Sequence, residues 1–162
     1  MIFKCAGLSS GTVNGIGMAL EIWFQGCKKH CKGCQNEMLQ DPNRGYNINT
    51  DLILHHLAEH PNFYNSVVMI GGEPYDQQDA LKELVSKVVL TKILYTGYLF
   101  EELSSDITQY LDYIVDGAYM EELATDGFPA SSNQRIFKKG ESGEFSEVTS
   151  EEFKNFTVCE AT

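Results

Sequence analysis

Two absences limit what this chain can be. It has no apolar run of membrane-spanning length, and its first residues lack the apolar stretch of a signal peptide. It is also poor in positive charge, with 12 Lys and Arg residues against 23 Asp and Glu residues and a formal net charge of -11. We therefore expect a cytoplasmic protein that does not contact a membrane. We also expect no nucleic-acid partner, because nucleic-acid binding needs a basic surface.

Cysteine usage points to metal or redox chemistry. The 162-residue chain has 5 cysteines, an odd number, and three of them fall in one short run. A disulfide framework would need paired cysteines in a secreted protein, and we expect neither here. The length and the hydrophobic content of 43% fit one domain with its own core.

Apolar runs alternate with helical patterns along the chain. Predicted strands cover Ala19–Phe24, Ser66–Ile70, Lys92–Thr96 and Tyr113–Asp116. Predicted helices cover Thr50–His60, with Thr50 as N-cap, and Asp76–Leu90, with Asp76 as N-cap, and a shorter helical stretch covers Leu99–Leu111. This alternation predicts an α/β fold with mostly parallel strands.

Only about four such strands fit, which is too few for a closed eight-stranded barrel. We therefore expect an open, partial (β/α) barrel with its site at the carboxyl ends of the strands. This domain would span residues 1–137. Residues 138–162 are polar and acidic, and we interpret them as a C-terminal extension rather than an independent domain.

The most informative motif is the run GCKKHCKGC, which has C-x3-C-x2-C spacing at Cys27, Cys31 and Cys34. Three thiolates in one loop can hold a single metal centre. On a four-iron cluster they would leave one iron open for a substrate, whereas four thiolates are usual when a cluster only transfers electrons. A zinc site is the alternative, and Cys5, Cys159 or a histidine would then have to supply a fourth ligand.

A second motif, Gly71-Gly72-Glu73-Pro74, directly follows the predicted strand Ser66–Ile70. Two glycines at a strand end let the backbone approach a ligand closely, and the carboxylate of Glu73 can accept a hydrogen bond from an ammonium group. The alternative is an ordinary strand-to-helix turn. The order of strand, cysteine loop, helix, strand and GGEP favours the ligand-binding interpretation.

Together, GCKKHCKGC and GGEP resemble the radical S-adenosylmethionine superfamily. Further segments resemble one branch of it, the activating proteins of anaerobic (class III) ribonucleotide reductase. These segments are Asn14–Gly17, Gln35-Asn36, Thr96-Gly97-Tyr98, Val115-Asp116-Gly117 and Ser131–Gln134. The resemblance covers about Asn14 to Phe137 and implies a partial barrel of radical S-adenosylmethionine type.

The resemblance also implies site residues and a chemistry. Cys27, Cys31 and Cys34 would ligate a 4Fe–4S cluster whose open iron chelates S-adenosylmethionine. The segment that holds the amino group of this cofactor corresponds to Gly71, Gly72 and Glu73. Gly33 and Gln35 would meet its adenosyl part, and further candidate residues are Asn36, Thr96 and Tyr98.

By the same resemblance, the reduced cluster cleaves S-adenosylmethionine, and the resulting radical abstracts hydrogen from a glycine of the large catalytic chain of anaerobic ribonucleotide reductase. An external electron donor is then a second partner. Three alternatives stay open: activation of another glycyl-radical enzyme, a small-molecule radical reaction, and a non-catalytic iron–sulfur or zinc binding protein.

Overall fold

The computed structural model describes residues 1–159, with side chains as far as Lys154. Within this range the chain forms eight strands: β1 (Ile2–Gly11), β2 (Ala19–Phe24), β3 (Tyr46–Asn49), β4 (Ser66–Gly71), β5 (Thr91–Tyr95), β6 (Tyr113–Asp116), β7 (Arg135–Lys139) and β8 (Phe145–Val148). It also forms the helices α1 (Thr50–Glu59), α2 (Gln78–Lys87), α3 (Ser105–Thr108) and α4 (Ser150–Cys159). No helix in residues 1–159 is both long and apolar enough to cross a membrane.

The strands form one mixed sheet in the order β3-β1-β2-β4-β5-β6-β7-β8. Strands β2, β4, β5 and β6 are parallel, whereas β1, β3, β7 and β8 join by antiparallel pairing. The parallel arrangement is therefore confined to the four central strands, and the expectation of a mostly parallel sheet does not extend to the edges. Those four strands are the ones that the sequence predicts.

Several predicted boundaries are confirmed and others need correction. Strands β2 and β6 have the predicted bounds. Helix α1 is capped by Asn49 instead of Thr50, because the Asn49 side chain accepts the hydrogen bond from the Asp51 backbone. The predicted helix over Asp76–Leu90 divides into a 3-10 turn at Pro74–Gln77 and the shorter α2, and Asp76 does not cap α2.

The sheet buries two separate cores. One face packs against α1, α2 and α3, with core side chains that include Leu20, Ile22, Val67, Met69, Leu94, Ile114, Ile53, Leu81, Leu84 and Ile107. The opposite face, which we call the cavity face, buries a smaller cluster of Ile16, Ala19, Val68, Ile93, Tyr113, Val115, Ile136 and Phe153. Burial on both faces explains the continuous apolar runs of the central strands.

The C-terminal extension completes this architecture. Strand β8 pairs with β7, and α4 places Phe153 on the cavity face, 2% exposed. The Phe153 ring lies 5.5 Å from the rings of Tyr113 and Phe128. The extension therefore packs on the same core as the central strands. The side chain of Cys159, the possible fourth zinc ligand, lies outside the described side chains.

Candidate metal and cofactor site

The carboxyl ends of the four parallel strands meet at one edge of the sheet, where ligand sites of open α/β sheets form. The segments that follow these strands are the cysteine loop after β2, Gly71–Pro74 after β4, Thr96–Tyr98 after β5 and Gly117–Tyr119 after β6. A cavity of about 620 Å³ opens there, and residues from all four segments line it. Its volume lies within the range of small-molecule pockets.

The cysteine loop places Cys27, Cys31 and Cys34 on the lining of the cavity, and all three residues are partly buried. Burial raises the pKa of the Cys27 thiol. Among the described side chains, no group of three His, Cys, Asp or Glu residues is arranged around a single metal ion. The ligands of a 4Fe–4S cluster bind separate irons, so they do not need to converge on one point.

Gly71, the last residue of β4, and Gly72, which follows it, are needed because two chain segments touch there. A β-carbon on Gly71, which has φ +118°, would lie 2.6 Å from the Phe24 carbonyl oxygen. A β-carbon on Gly72 would lie 2.3 Å from the Gly26 carbonyl oxygen. The glycines thus let the end of β4 pack against the start of the cysteine loop, and both also line the cavity.

Glu73 is 1% exposed, and its carboxylate binds the protein itself. Oε1 accepts hydrogen bonds from the Tyr75 amide at 2.9 Å and the Thr96 hydroxyl at 2.8 Å, and Oε2 accepts one from the Gly97 amide at 2.6 Å. Burial raises the pKa of Glu73 to about 7, although the three donors oppose this shift. The side chain therefore joins the turn after β4 to the turn after β5.

Asp76 is a site residue that the sequence did not reveal as such. Its carboxylate accepts hydrogen bonds from the Lys28 amide at 2.8 Å and from the Tyr98 hydroxyl at 2.7 Å. It thereby ties the cysteine loop to the segment after β5. The N-cap prediction was wrong because a tertiary contact, instead of the local helix, uses this carboxylate.

The segment after β6 is held by the Ser131–Gln134 turn. The side-chain amides of Asn133 and Gln134 donate to the carbonyl oxygens of Ala118 and Gly117 at 2.8 Å and 3.0 Å. Gly117, Ala118 and Gln134 line the cavity together on this side. The motifs Val115-Asp116-Gly117 and Ser131–Gln134, noted only as resemblances in the sequence, are thus joined in space.

Most of the candidate residues line the cavity. These are Cys27, Cys31, Cys34, Gln35, Asn36, Gly71, Gly72, Glu73 and Thr96. Gly33 and Tyr98 do not line it: Gly33 packs near Glu121, and the Tyr98 ring lies under the Lys29 ammonium group. Lining residues that the sequence did not mark include Lys29 and the aromatic residues Trp23, Tyr95, Phe128 and Phe153. The aromatic ones cannot be told from core residues by sequence pattern alone.

Comparison with known proteins adds independent evidence. The model of a 4Fe-4S single cluster domain matches residues 13–137. An anaerobic ribonucleoside-triphosphate reductase-activating protein of Enterobacteria phage T4 is 31% identical over 138 residues, which cover 77% of this chain and 86% of the relative. The chain belongs to the family of anaerobic ribonucleoside-triphosphate reductase-activating proteins. The family match also supports an iron–sulfur cluster.

Bacterial members of this activating-protein family match over a similar span. The Vibrio cholerae protein is 28% identical over 141 residues, covering 78% of this chain and 91% of its own. The Escherichia coli K12 protein is 27% identical over 139 residues, which cover 76% of this chain and 90% of the relative. The domain match ends at Phe137 in β7, so β8 and α4 lie beyond it, although Phe153 and Lys154 of α4 line the cavity.

Proposed function

We propose that this protein is a radical S-adenosylmethionine activase for anaerobic ribonucleotide reductase. It would cleave S-adenosylmethionine reductively at a 4Fe–4S cluster held by Cys27, Cys31 and Cys34 and generate a glycyl radical on the large catalytic chain. The main support is that the three thiols share one cavity with the Gly71–Glu73 backbone. The family of its relatives supports the choice of partner.

The residues present fit both groups. The donor set is three thiols and no fourth cysteine within the described cavity lining, as an open iron would require. A cavity of about 620 Å³ can take a ligand the size of S-adenosylmethionine. When bound, cluster and cofactor would supply a one-electron cleavage of a carbon–sulfur bond and a carbon-centred radical.

The protein's own residues would orient the ligands and exclude water. Glu73 fixes two turns of the wall, and Asp76 fixes the cysteine loop against them. Gly71, Gly72 and Glu73 would offer their backbone to the amino group, while Gln35, with Asn36 and Thr96, would flank the adenosyl part. Trp23, Tyr95 and Phe128 form an apolar part of the lining, which would keep water from a reactive radical. No side-chain acid or base is required.

The remaining parts of the proposal follow from the architecture. The open sheet would be a partial barrel of radical S-adenosylmethionine type, with residues 1–137 as its chemical domain and residues 138–162 as an extension of it. A chain this small offers little to close the cavity over a small substrate, so we infer that the large partner chain closes it. An external donor in the cytoplasm would supply the electron.

The decisive test is low-temperature EPR on anaerobically reconstituted, reduced protein, with and without S-adenosylmethionine. We expect a half-spin cluster signal that changes when the cofactor is added, and methionine release on turnover. A signal unaffected by the cofactor would reduce the protein to an electron carrier. Zinc without a cluster signal would refute the radical chemistry altogether.

A further inference from the structure

Lys29 is a cation on the cavity lining that has no carboxylate partner among the described ion pairs. It lies between Cys27 and Cys31 and lines the cavity beside both. Its side chain crosses Gly97, where a β-carbon would lie 3.3 Å from the Lys29 Cγ. Its ammonium nitrogen lies 3.8 Å from the centre of the Tyr98 ring. A half-buried cation thus rests on an aromatic face and not on an anion.

The nearby carboxylates are already used by other donors. Asp76 binds the Lys28 amide and the Tyr98 hydroxyl, and Glu73 binds three donors of its own. Because the Tyr98 hydroxyl is bound to Asp76, the ring under the ammonium is fixed in place. A charged group removed from water needs an opposite charge or several hydrogen bonds, and the ring offers only part of this.

We propose that Lys29 binds the carboxylate of an amino-acid-type ligand in the cavity, which under the proposed function is the methionine carboxylate of S-adenosylmethionine. The inference rests on that function for the identity of the ligand. The position suits the role, because Lys29 lines the cavity between Cys27 and Cys31, two of the proposed cluster ligands. Tyr98 then acts as a platform that positions Lys29, which explains why it belongs to the site without lining the cavity.

The test compares two ligands on each protein by anaerobic titration calorimetry, using S-adenosylmethionine and its decarboxylated analogue on cluster-loaded protein. Lys29→Met should weaken binding of S-adenosylmethionine by about 10-fold, the size expected for a charge-assisted hydrogen bond. Binding of the decarboxylated analogue should be unchanged. Lys29→Arg should keep most of the difference in affinity between S-adenosylmethionine and its decarboxylated analogue. Lys29→Gln serves as a second neutral variant if Lys29→Met takes up the cluster poorly.

Lys28→Met is the matched control, since Lys28 is exposed in the same loop and its side chain does not line the cavity. It should leave both affinities unchanged. Equal weakening of both ligands by Lys29→Met would overturn the inference alone, because the coupling between charge and carboxylate would then be zero. Failure of the wild-type protein to bind S-adenosylmethionine would overturn the proposed function and this inference with it.

Discussion

The cysteine loop differs in construction from the turns after β4 and β5, Gly71–Pro74 and Thr96–Tyr98, which we call the wall. The wall is buried and internally bonded, with the Glu73 carboxylate accepting three hydrogen bonds. The loop has few bonds of its own, such as Cys34 N to Cys31 O at 3.2 Å, and Lys28 depends on Asp76 for its anchor. The wall is therefore complete without a ligand, whereas under the proposed function the loop would gain further bonds when a cluster binds its thiols.

The largest effect should come from the loop's own ligands. Cys31→Ala removes one of three thiols, so we expect loss of the cluster, measured as iron and sulfide content and as visible absorbance, and loss of cofactor cleavage. Cys5→Ala is the control, because Cys5 is a buried thiol on β1, outside the loop. A Cys31→Ala protein that retained full iron content would contradict the proposed ligand set.

Substitutions in the wall should instead lower the stability of the fold. Glu73→Ala leaves the amides of Tyr75 and Gly97 and the Thr96 hydroxyl without their acceptor, and an unpaired buried donor is costly. We expect a loss of about 3 to 5 kcal/mol in the free energy of unfolding, measured by urea titration of the cluster-free protein. Glu37→Gln, at an exposed position, should change it by less than about 0.5 kcal/mol. Equal stability of Glu73→Ala and wild type would refute the bracing role.

The pH dependence of the wall gives a finer test. Burial raises the pKa of Glu73 from 4.5 to about 7, so the folded state binds its proton more tightly than the unfolded state. The resulting stability is fully present below pH 4.5 and is lost as the pH rises through 7. The difference in unfolding free energy between wild type and Glu73→Gln should therefore favour wild type more at pH 5 than at pH 8, by up to about 3 kcal/mol. A pH-independent difference would show that Glu73 is ionised throughout.

Asp76 connects the two regions, so its removal should affect both modestly. Asp76→Ala deprives the Lys28 amide and the Tyr98 hydroxyl of their acceptor. We expect a loss of about 2 kcal/mol in unfolding free energy and slower cluster uptake during reconstitution. The matched control is Asp79→Ala in the first turn of α2, where the side chain is exposed. Unchanged uptake would mean that the loop is ordered without this tether.

The smallest effect should come from the outer surface of the loop. Lys32 forms an ion pair with Glu121 at 3.1 Å, but its side chain is 91% exposed. Exposed pairs contribute little because water and salt screen them. Lys32→Ala should change the unfolding free energy by less than about 0.5 kcal/mol and leave the iron content unchanged. A large loss of cluster in this variant would show that the ion pair between Lys32 and Glu121 contributes more to the stability of the loop than we infer.

The sequence predicted the central part of this molecule and missed its edges. Apolar runs bounded by glycine revealed β2, β4, β5 and β6, because strands buried on both faces must be apolar throughout. Strand β1 carries the exposed run Leu8–Ser10, and β8 (Phe145–Val148) has no buried residue, so neither shows that pattern. Strands outside the parallel centre, such as β1 and β8, are specified by their pairing partners, which a local pattern does not contain.

The same distinction holds for the site. The cysteines and Gly71–Glu73 carry their chemistry in their residue types and spacing, so their motifs mark them as candidates for a ligand site. Asp76 and Lys29 act through neighbours that are distant in sequence, such as Tyr98. Nothing in their local context distinguishes them from a helix cap and a solvated loop lysine. Contacts of this kind can be identified only in the folded structure, where the ends of the strands lie close together.

The meeting of four strand ends also affects how this protein acquires its site. The cavity draws its lining from Val13 to Lys154, almost the whole described chain, so no fragment of the chain contains it. Long-range closure of this kind is slow during folding, because chain entropy is lost before the contacts form. A cluster that binds the assembled cavity more tightly than the unfolded chain would stabilise the native state by mass action. Under the proposed function, iron supply would in that way influence how much folded protein accumulates.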